Sequence, residues 1–277
     1  MTRLSAWSAN LSCGLALALA ACATPGADSA EPQTARRTAE FQTEVESAEL
    51  LGHLIFDQDT AAWVATDALL ADKEYAELIG ADIRGWVSYE DGDAYETAFV
   101  GLRDDEPSAL FRVRSRGRQV LAEERLPDGS ALTAIEALRW RARTAIMDQS
   151  IERCNDFPSI NTAVVPIPGD PEGKLYGYIF SATRVPNLVV LGKHYRFTVS
   201  PDGNDVLQKR DFSKTCIAVA NQPENNAGAL FITHIMTPYP EEHHVFASLA
   251  HDVPIYVGTS DENVWQVQDG RIERTKK

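Results

Sequence analysis

The chain has 277 residues, a formal net charge of −14 and a hydrophobic fraction of 44%. These values are typical of a folded protein with a hydrophobic core and exclude a disordered chain. The acidic balance excludes nucleic acid as a main partner, because phosphate binding requires clustered Lys and Arg side chains. It also excludes adsorption to anionic lipid through surface charge alone.

The first 22 residues have the organisation of an export signal. Arg3 precedes an uncharged stretch rich in Leu and Ala, residues 11–21, which is too short to span a ~30 Å hydrocarbon core. The stretch ends in Leu19-Ala20-Ala21-Cys22, which resembles the lipobox of bacterial lipoproteins. The resemblance implies that residues 1–21 are a cleaved signal peptide and that the Cys22 sulfur is acylated. The alternative is an ordinary secretory signal with a chance cysteine.

The resemblance also implies a place in the cell envelope. Ala23 follows the cysteine, whereas Asp at this place in the family favours retention in the inner membrane. The expected location is therefore the outer membrane of a Gram-negative bacterium, with the protein facing the periplasm and the membrane as its partner. Residues 22–37 show no apolar period and include two prolines, so they predict an acylated flexible tether with a mean reach of roughly 20 Å.

Two cysteines remain for the folded part. Cys13 leaves with the signal peptide and Cys22 is the expected lipid attachment site, which leaves Cys154 and Cys216. The periplasm is oxidising, so a Cys154–Cys216 disulfide is expected. Two buried free thiols are the alternative.

The first half of the mature chain predicts a helix followed by antiparallel hairpins. Residues 38–56 carry Phe41, Val45 and Leu50 at roughly helical spacing, and residues 60–70 are ambiguous between helix and strand. Predicted strands then follow as two hairpins at residues 83–89 with 94–102 and 109–113 with 119–123. The first hairpin turns at an Asp-Gly pair, which is a strong turn signal.

A long amphipathic helix is predicted at the centre of the chain, over residues 131–148. Residues 127–130 read Pro-Asp-Gly-Ser, which predicts the end of a strand with Ser130 as N-cap. The helix then has an apolar stripe with Glu136, Arg139, Arg141 and Arg143 on much of the remaining surface. We expect it to pack on the preceding sheet.

Strands and turns dominate the second half of the sequence. The predicted strands are 161–166, 175–181, 187–191, 194–200, 205–212, 216–220, 229–236, 243–250, 255–258 and 264–268. The predicted fold class is α+β, a mostly antiparallel β-sheet with an N-terminal helix and the central helix packed on it. Residues 38–150 and 151–270 form either two units or one continuous domain.

Familiar catalytic motifs are absent from the sequence. It contains no G-x-S-x-G, no H-E-x-x-H and no complete EF-hand loop. Residues 169–174 resemble a phosphate-binding loop only superficially, because three residues separate the glycines and Leu175 stands where Ser or Thr would bind Mg²⁺. The acidic turns at 91–93 and 104–106 are interpreted as solvated loops.

One cluster of histidines is a candidate metal site. If the loop at residues 237–241 folds two strands into a hairpin, His234 and one of His243 or His244 could approach, and Glu242 could join them. The expected zinc or copper ligands are His234, Glu242 and His244. The alternative is favoured: on a strand, His234 shares its face with Leu230 and Ile232, which predicts a packed core residue.

Two functions from different classes follow. The first is a non-enzymatic binding or interaction module, tethered to the membrane in the periplasm, for an envelope protein or a cell-wall component. The alternative is a periplasmic metal-assisted hydrolase that uses His234, Glu242 and His244. Convergence of these three side chains would discriminate between them.

Overall fold

The computed structural model describes residues 41–154, 159–221 and 228–275, so the predicted signal peptide and tether lie outside the described residues. The described helices are α1 Gln42–Ala71, α2 Lys73–Gly80, α3 Ala134–Met147 and α4 Glu242–His251. The strands are β1 Gly85–Asp91, β2 Ala94–Arg103, β3 Glu106–Arg116, β4 Gln119–Ala131, β5 Ser159–Pro166, β6 Leu175–Ala182, β7 Leu188–Val190, β8 Tyr195–Val199, β9 Val206–Asp211, β10 Ala218–Ala220, β11 Leu230–His234, β12 Ile255–Thr259, β13 Val264–Gln268 and β14 Arg271–Arg274. None of the described helices combines the length and the apolarity that crossing a membrane requires.

The fold is α+β with mostly antiparallel sheets, as the sequence predicts. Three four-stranded sheets have the orders β1-β2-β3-β4, β5-β6-β8-β9 and β11-β12-β13-β14, and β7 pairs with β10 in a small ribbon. Every pair is antiparallel except β11 with β12, which is parallel. A parallel pair requires a crossover, and helix α4 supplies it.

Helix α1 runs past all three large sheets. It extends through residues 60–70, where the sequence was ambiguous, and is 30 residues long. Val45 and Ala48 pack in the core of the third sheet, Leu51 and Ile55 against the second sheet, and Ala65 and Leu69 against the first. Burial along so long a face ties the three sheets to one element.

Gln58 joins the edges of two sheets at the middle of α1. Its buried side-chain amide donates to the Ser88 carbonyl of β1 and, at 2.9 Å, to the Val164 carbonyl of β5. Its Oε1 accepts the Val164 N–H at 2.9 Å. The amide thus supplies the hydrogen bonds that two edge strands would otherwise lack, since buried backbone groups require partners.

The start of α3 differs from the prediction. Ser130 is not the N-cap, because it pairs with Ala109 in the β3–β4 ladder, and β4 continues to Ala131. A register shift accommodates the Pro-Asp-Gly-Ser segment that was expected to end the strand. Thr133 caps the helix instead, in a capping box with Glu136.

The predicted strand 243–250 is wrong, because these residues form helix α4. Glu, Ala and Leu are good helix formers, and the buried positions His244, Ala247 and Ser248 recur at intervals of three and four residues. Asp252, with a left-handed φ of 49°, ends the helix. The loop at 237–241 therefore connects a strand to a helix and forms no hairpin.

Cys154 and Cys216 lie at bonding distance, with an S–S separation of 2.06 Å and a Cα–Cα distance of 5.5 Å. The bridge links the segment after α3 to the segment before β10, across 62 residues of sequence. Cys154 is buried, so its sulfur is shielded from solvent.

The role of Gln58 is testable by substitution with an isosteric apolar residue. Gln58→Leu leaves the two carbonyls and the Val164 N–H without partners, so we expect a loss of about 3 kcal/mol in the free energy of unfolding. Urea denaturation measures it. Gln42→Leu, an exposed change on the same helix, should alter stability by less than about 0.5 kcal/mol. A loss below about 1 kcal/mol for Gln58→Leu would mean that water satisfies these groups.

Candidate metal centre

Three buried histidines converge where β11 ends and α4 begins. His234 is the last residue of β11, and His243 and His244 lie in the first turn of α4. One ring nitrogen from each lies within 4.8 Å of the others, and all three side chains are at most 5% exposed. The carboxyl end of a parallel strand and the N-terminus of its crossover helix meet at this point, as at many ligand sites of α/β folds.

Close packing of α4 on α1 holds this position. A β-carbon added at Gly52 of α1 would lie 2.4 Å from the Cβ of Val245. Only glycine permits the two helices to approach so closely, one residue beyond His244. The location of the histidine pair is thus determined by the α1–α4 contact.

The predicted set of His234, Glu242 and His244 is only partly brought together. Glu242 belongs to a different cluster, in which it accepts the Tyr178 hydroxyl at 3.1 Å and pairs with Arg196. His243 takes its place beside the other two histidines. Successive residues on a helix differ by about 100° and not by 180°, so His243 and His244 share one side.

Glu241 is a neighbour of the cluster that the sequence did not indicate. Its carboxylate is buried, pairs with Arg210, and places Oε2 3.1 Å from Nε2 of His234. Among the described residues, Oε2 accepts no well-aligned hydrogen bond. This buried carboxylate oxygen next to the histidines is therefore unpartnered in the described part of the chain.

Hydrogen bonds determine the tautomer of His234. Its Nε2 lies 2.9 Å from the Thr237 hydroxyl, and that hydroxyl donates to the Tyr239 carbonyl at 2.6 Å. The Thr237 hydroxyl uses its own proton in the bond to Tyr239, so it accepts a hydrogen bond from His234. The Nε2 of His234 therefore carries the ring proton and donates it to Thr237. The free lone pair of His234 is therefore on Nδ1, and the Thr237–Tyr239 chain orients the ring as outer partners of metal ligands do.

The other two histidines differ in how their nitrogens are engaged. Nδ1 of His244 accepts the Glu241 N–H at 3.0 Å, so the neutral ring carries its proton on Nε2. Ligation through Nε2 would move this proton to Nδ1 and break the bond to Glu241. By contrast, Nδ1 of His243 is buried and has no hydrogen-bond partner in the part of the chain that the structure describes.

Burial holds these rings in the neutral form. Desolvation lowers the pKa of His243 and of His244 well below 6.5, and the neighbouring histidines lower both further. A metal ion requires neutral imidazole, which is the form that burial favours for His243 and His244.

His194, in the neighbouring core, is a buried histidine with a purely structural role, and it serves as a comparison for the cluster. Its Nδ1 accepts the Ser181 N–H and its Nε2 contacts the Val190 carbonyl, so both nitrogens are occupied. Burial lowers the pKa of His194 to about 4. The unpartnered Nδ1 of His243 distinguishes the cluster from such a site.

A cleft of about 300 Å³ adjoins the cluster on the side of the two glutamates. It is lined by Thr43, Glu44, Ser47, Ala48, Tyr176, Arg196, Arg210, Tyr239, Glu241 and Glu242. The guanidinium groups of Arg196 and Arg210 neutralise Glu242 and Glu241 at its floor. Glu241 lines this cleft and also lies next to His234, so it is the residue that separates the cleft from the cluster.

The remaining predicted site residues lie apart from this centre. Cys22 is outside the described residues, and Cys154 and Cys216 form the bridge described above. His251, at the far end of α4, was not a predicted site residue; it is exposed and is not among the clustered histidines.

The buried histidines make stability depend on pH. Between pH 6.5 and about 4, the unfolded chain binds a proton that folded His194 does not, so stability falls as the pH falls. His243 and His244 act with the same sign, whereas Asp59, whose pKa burial raises to about 6, acts with the opposite sign.

We therefore expect the metal-free protein to take up protons on unfolding at pH 5. The His194→Gln variant should take up about one proton fewer, a difference in slope of about 1.4 kcal/mol per pH unit. Urea denaturation between pH 5 and 7 measures both slopes. Equal slopes would show that His194 is protonated in the folded protein.

No protein-family model matches the chain, and neither a curated protein nor a solved structure matches it. The geometry of the histidine cluster and its cleft is therefore the observation that bears most directly on function.

Proposed function

We propose that this chain is a lipid-anchored envelope protein that binds a transition-metal ion, zinc or copper, through His234, His243 and His244. The observation that carries the proposal is the convergence of three buried ring nitrogens within 4.8 Å. Imidazole nitrogen is a preferred ligand of both metals, and ligand distances of about 2.0–2.1 Å require the rings to close in by a small amount.

The carboxylate of Glu241 is the proposed fourth ligand. Its Oε2 is buried and has no hydrogen-bond partner among the described residues, so it is free to bind an ion. Three imidazoles and one carboxylate complete a tetrahedral set, and complete sets are typical of sites that hold a metal and do not use it for catalysis. This supports a non-enzymatic binding or interaction module, whose partner is an envelope protein or a cell-wall component.

A metal-assisted hydrolase is the second candidate. The cleft reaches Glu241, and if this carboxylate stays paired with Arg210, the fourth metal position remains open to water. The three histidines then replace the His234, Glu242 and His244 set expected from sequence. Glu241 would act as the general base beside the metal-bound water.

The location proposed for the protein is the outer membrane, facing the periplasm. The lipobox-like Leu19-Ala20-Ala21-Cys22 and the tether that follows it support this proposal. Two or three acyl chains anchor a protein permanently, because each buried CH₂ contributes about 0.8 kcal/mol.

Metal binding is testable on the mature full-length chain. We expect one equivalent of Zn²⁺ to bind at pH 7.5, and His243→Ala to weaken binding by more than about 100-fold, since loss of even an outer partner costs 10–100-fold. Isothermal titration calorimetry measures the affinity. His251→Gln, on the same helix but outside the cluster, is the matched control and should bind like the parent protein. Equal affinity of parent and His243→Ala would refute the site.

Cobalt substitution separates the two candidate functions. In a site closed by Glu241, the visible absorption of bound Co²⁺ should not change when azide is added, because no position is open. If azide changes the Co²⁺ spectrum, and if the Co²⁺ absorption is weaker in His234→Ala, the metal has an exchangeable position. That result would favour the hydrolase.

The lipid anchor is tested by Cys22→Ser. This variant should incorporate no labelled palmitate and should be absent from the outer-membrane fraction after a high-salt wash, because the acylated sulfur is missing. Cys13→Ser, a change inside the proposed signal peptide, should still incorporate the label. Incorporation of the label by Cys22→Ser would rule out this attachment site.

A further inference from the structure

Two arginines of α3 lie in the crevice where β1 and β5 meet. Arg139 is 7% exposed, and its Nε and Nη1 are buried without a hydrogen-bond partner among the described residues. The Nε of Arg143 is in the same situation. Both side chains line a partly enclosed cavity together with Gln58, Trp86 and residues of β5.

Neither guanidinium has a counter-charge in the described part of the protein. Desolvation is the only influence on their pKa, which it lowers to about 10 for Arg139 and also lowers for Arg143. A buried charge without a partner costs several kcal/mol. Arg139 is buried and Arg143 beside it is half-buried, and their unpartnered nitrogens imply a further partner in the crevice.

Asp59 is the acid that shares this cavity, but it does not serve as the counter-ion. Burial alone raises the pKa of Asp59 to about 6, and neither guanidinium lowers it. No ion pair joins it to Arg139 or Arg143 in the described residues. The buried nitrogens of Arg139 and the Nε of Arg143 therefore have no side-chain partner among the described residues.

The cavity is large enough only for a small ion or a water molecule. It has about 20 Å³ of space, a little above the 10–15 Å³ that one water molecule needs. We infer that Arg139 and Arg143 bind a small monovalent anion in this crevice, chloride in the first instance. The anion sits beside the Gln58 junction and links α3 to the edges of both sheets.

Backbone packing sets the position of Arg143. A β-carbon at Gly85, the first residue of β1, would lie 2.7–2.9 Å from the guanidinium atoms of Arg143. The guanidinium thus lies against the strand, and its Cζ is 5.3 Å from the centroid of the Trp140 ring. Gly85→Ala therefore displaces this donor without changing any charge.

Chloride dependence of stability tests the site. At constant ionic strength, with gluconate replacing chloride, each tenfold rise in chloride above the dissociation constant should raise the folded-to-unfolded ratio about tenfold. Arg139→Met should be more resistant to urea than the parent protein without chloride, because the buried charge is gone, and should show no chloride dependence. Arg141→Met, an exposed change on the same helix, should respond to chloride like the parent.

Three results would overturn the inference. These are the same chloride response in the parent and in Arg139→Met, no response in either, and a parent response that Gly85→Ala leaves unchanged. Bromide gives a direct second readout, because its anomalous scattering in crystals of the parent protein should place it within hydrogen-bonding distance of Arg139. Density for water alone at that point would equally refute the site.

Discussion

The side chain of Gln58 is the contact on which the arrangement of the sheets depends. The first and second sheets present the edges of β1 and β5 to each other, and edge strands have unpaired N–H and C=O groups. One buried amide satisfies three of these groups at once. Because Gln58 lies midway along α1, the helix that packs on all three large sheets also joins two of them by hydrogen bonds.

The N-terminal half of α1 determines the position of the histidine cluster. Its contact with α4 through Gly52 brings the first turn of α4 beneath the end of β11. Two glutamates open that turn, where the helix dipole stabilises negative charge, and two arginines from the second sheet neutralise them. His243 and His244, behind this charged layer, are buried, and burial favours the neutral form that a metal ion requires.

Charge is distributed unevenly in this acidic protein. Its acids are paired at the α4 N-terminus by Arg196 and Arg210, whereas buried Arg139 and half-buried Arg143 form no ion pair among the described residues. The first arrangement uses protein groups alone to satisfy buried charge. The crevice of Arg139 and Arg143 does not. For this reason an external anion is inferred in the crevice and not at the N-terminus of α4.

Local signals in the sequence were sufficient for the α+β class and for the hairpins. The Asp-Gly turn between β1 and β2 and the alternation of apolar residues around it depend only on neighbouring residues. The sequence also identified His234 and one of His243 or His244 as candidates, because four histidines lie within residues 234–251.

Tertiary structure alone decided which residues share the site. A short apolar run with histidines is compatible with a strand or a helix, and only packing against α1 selects the helix for α4. In a helix the side chains repeat every 3.6 residues, whereas in a strand they repeat every 2 residues. The helix therefore places His243, and not Glu242, beside His234 and His244. Similarly, Arg139 lies on what reads as a polar helix face, and it is buried only because the β1–β5 junction covers that face.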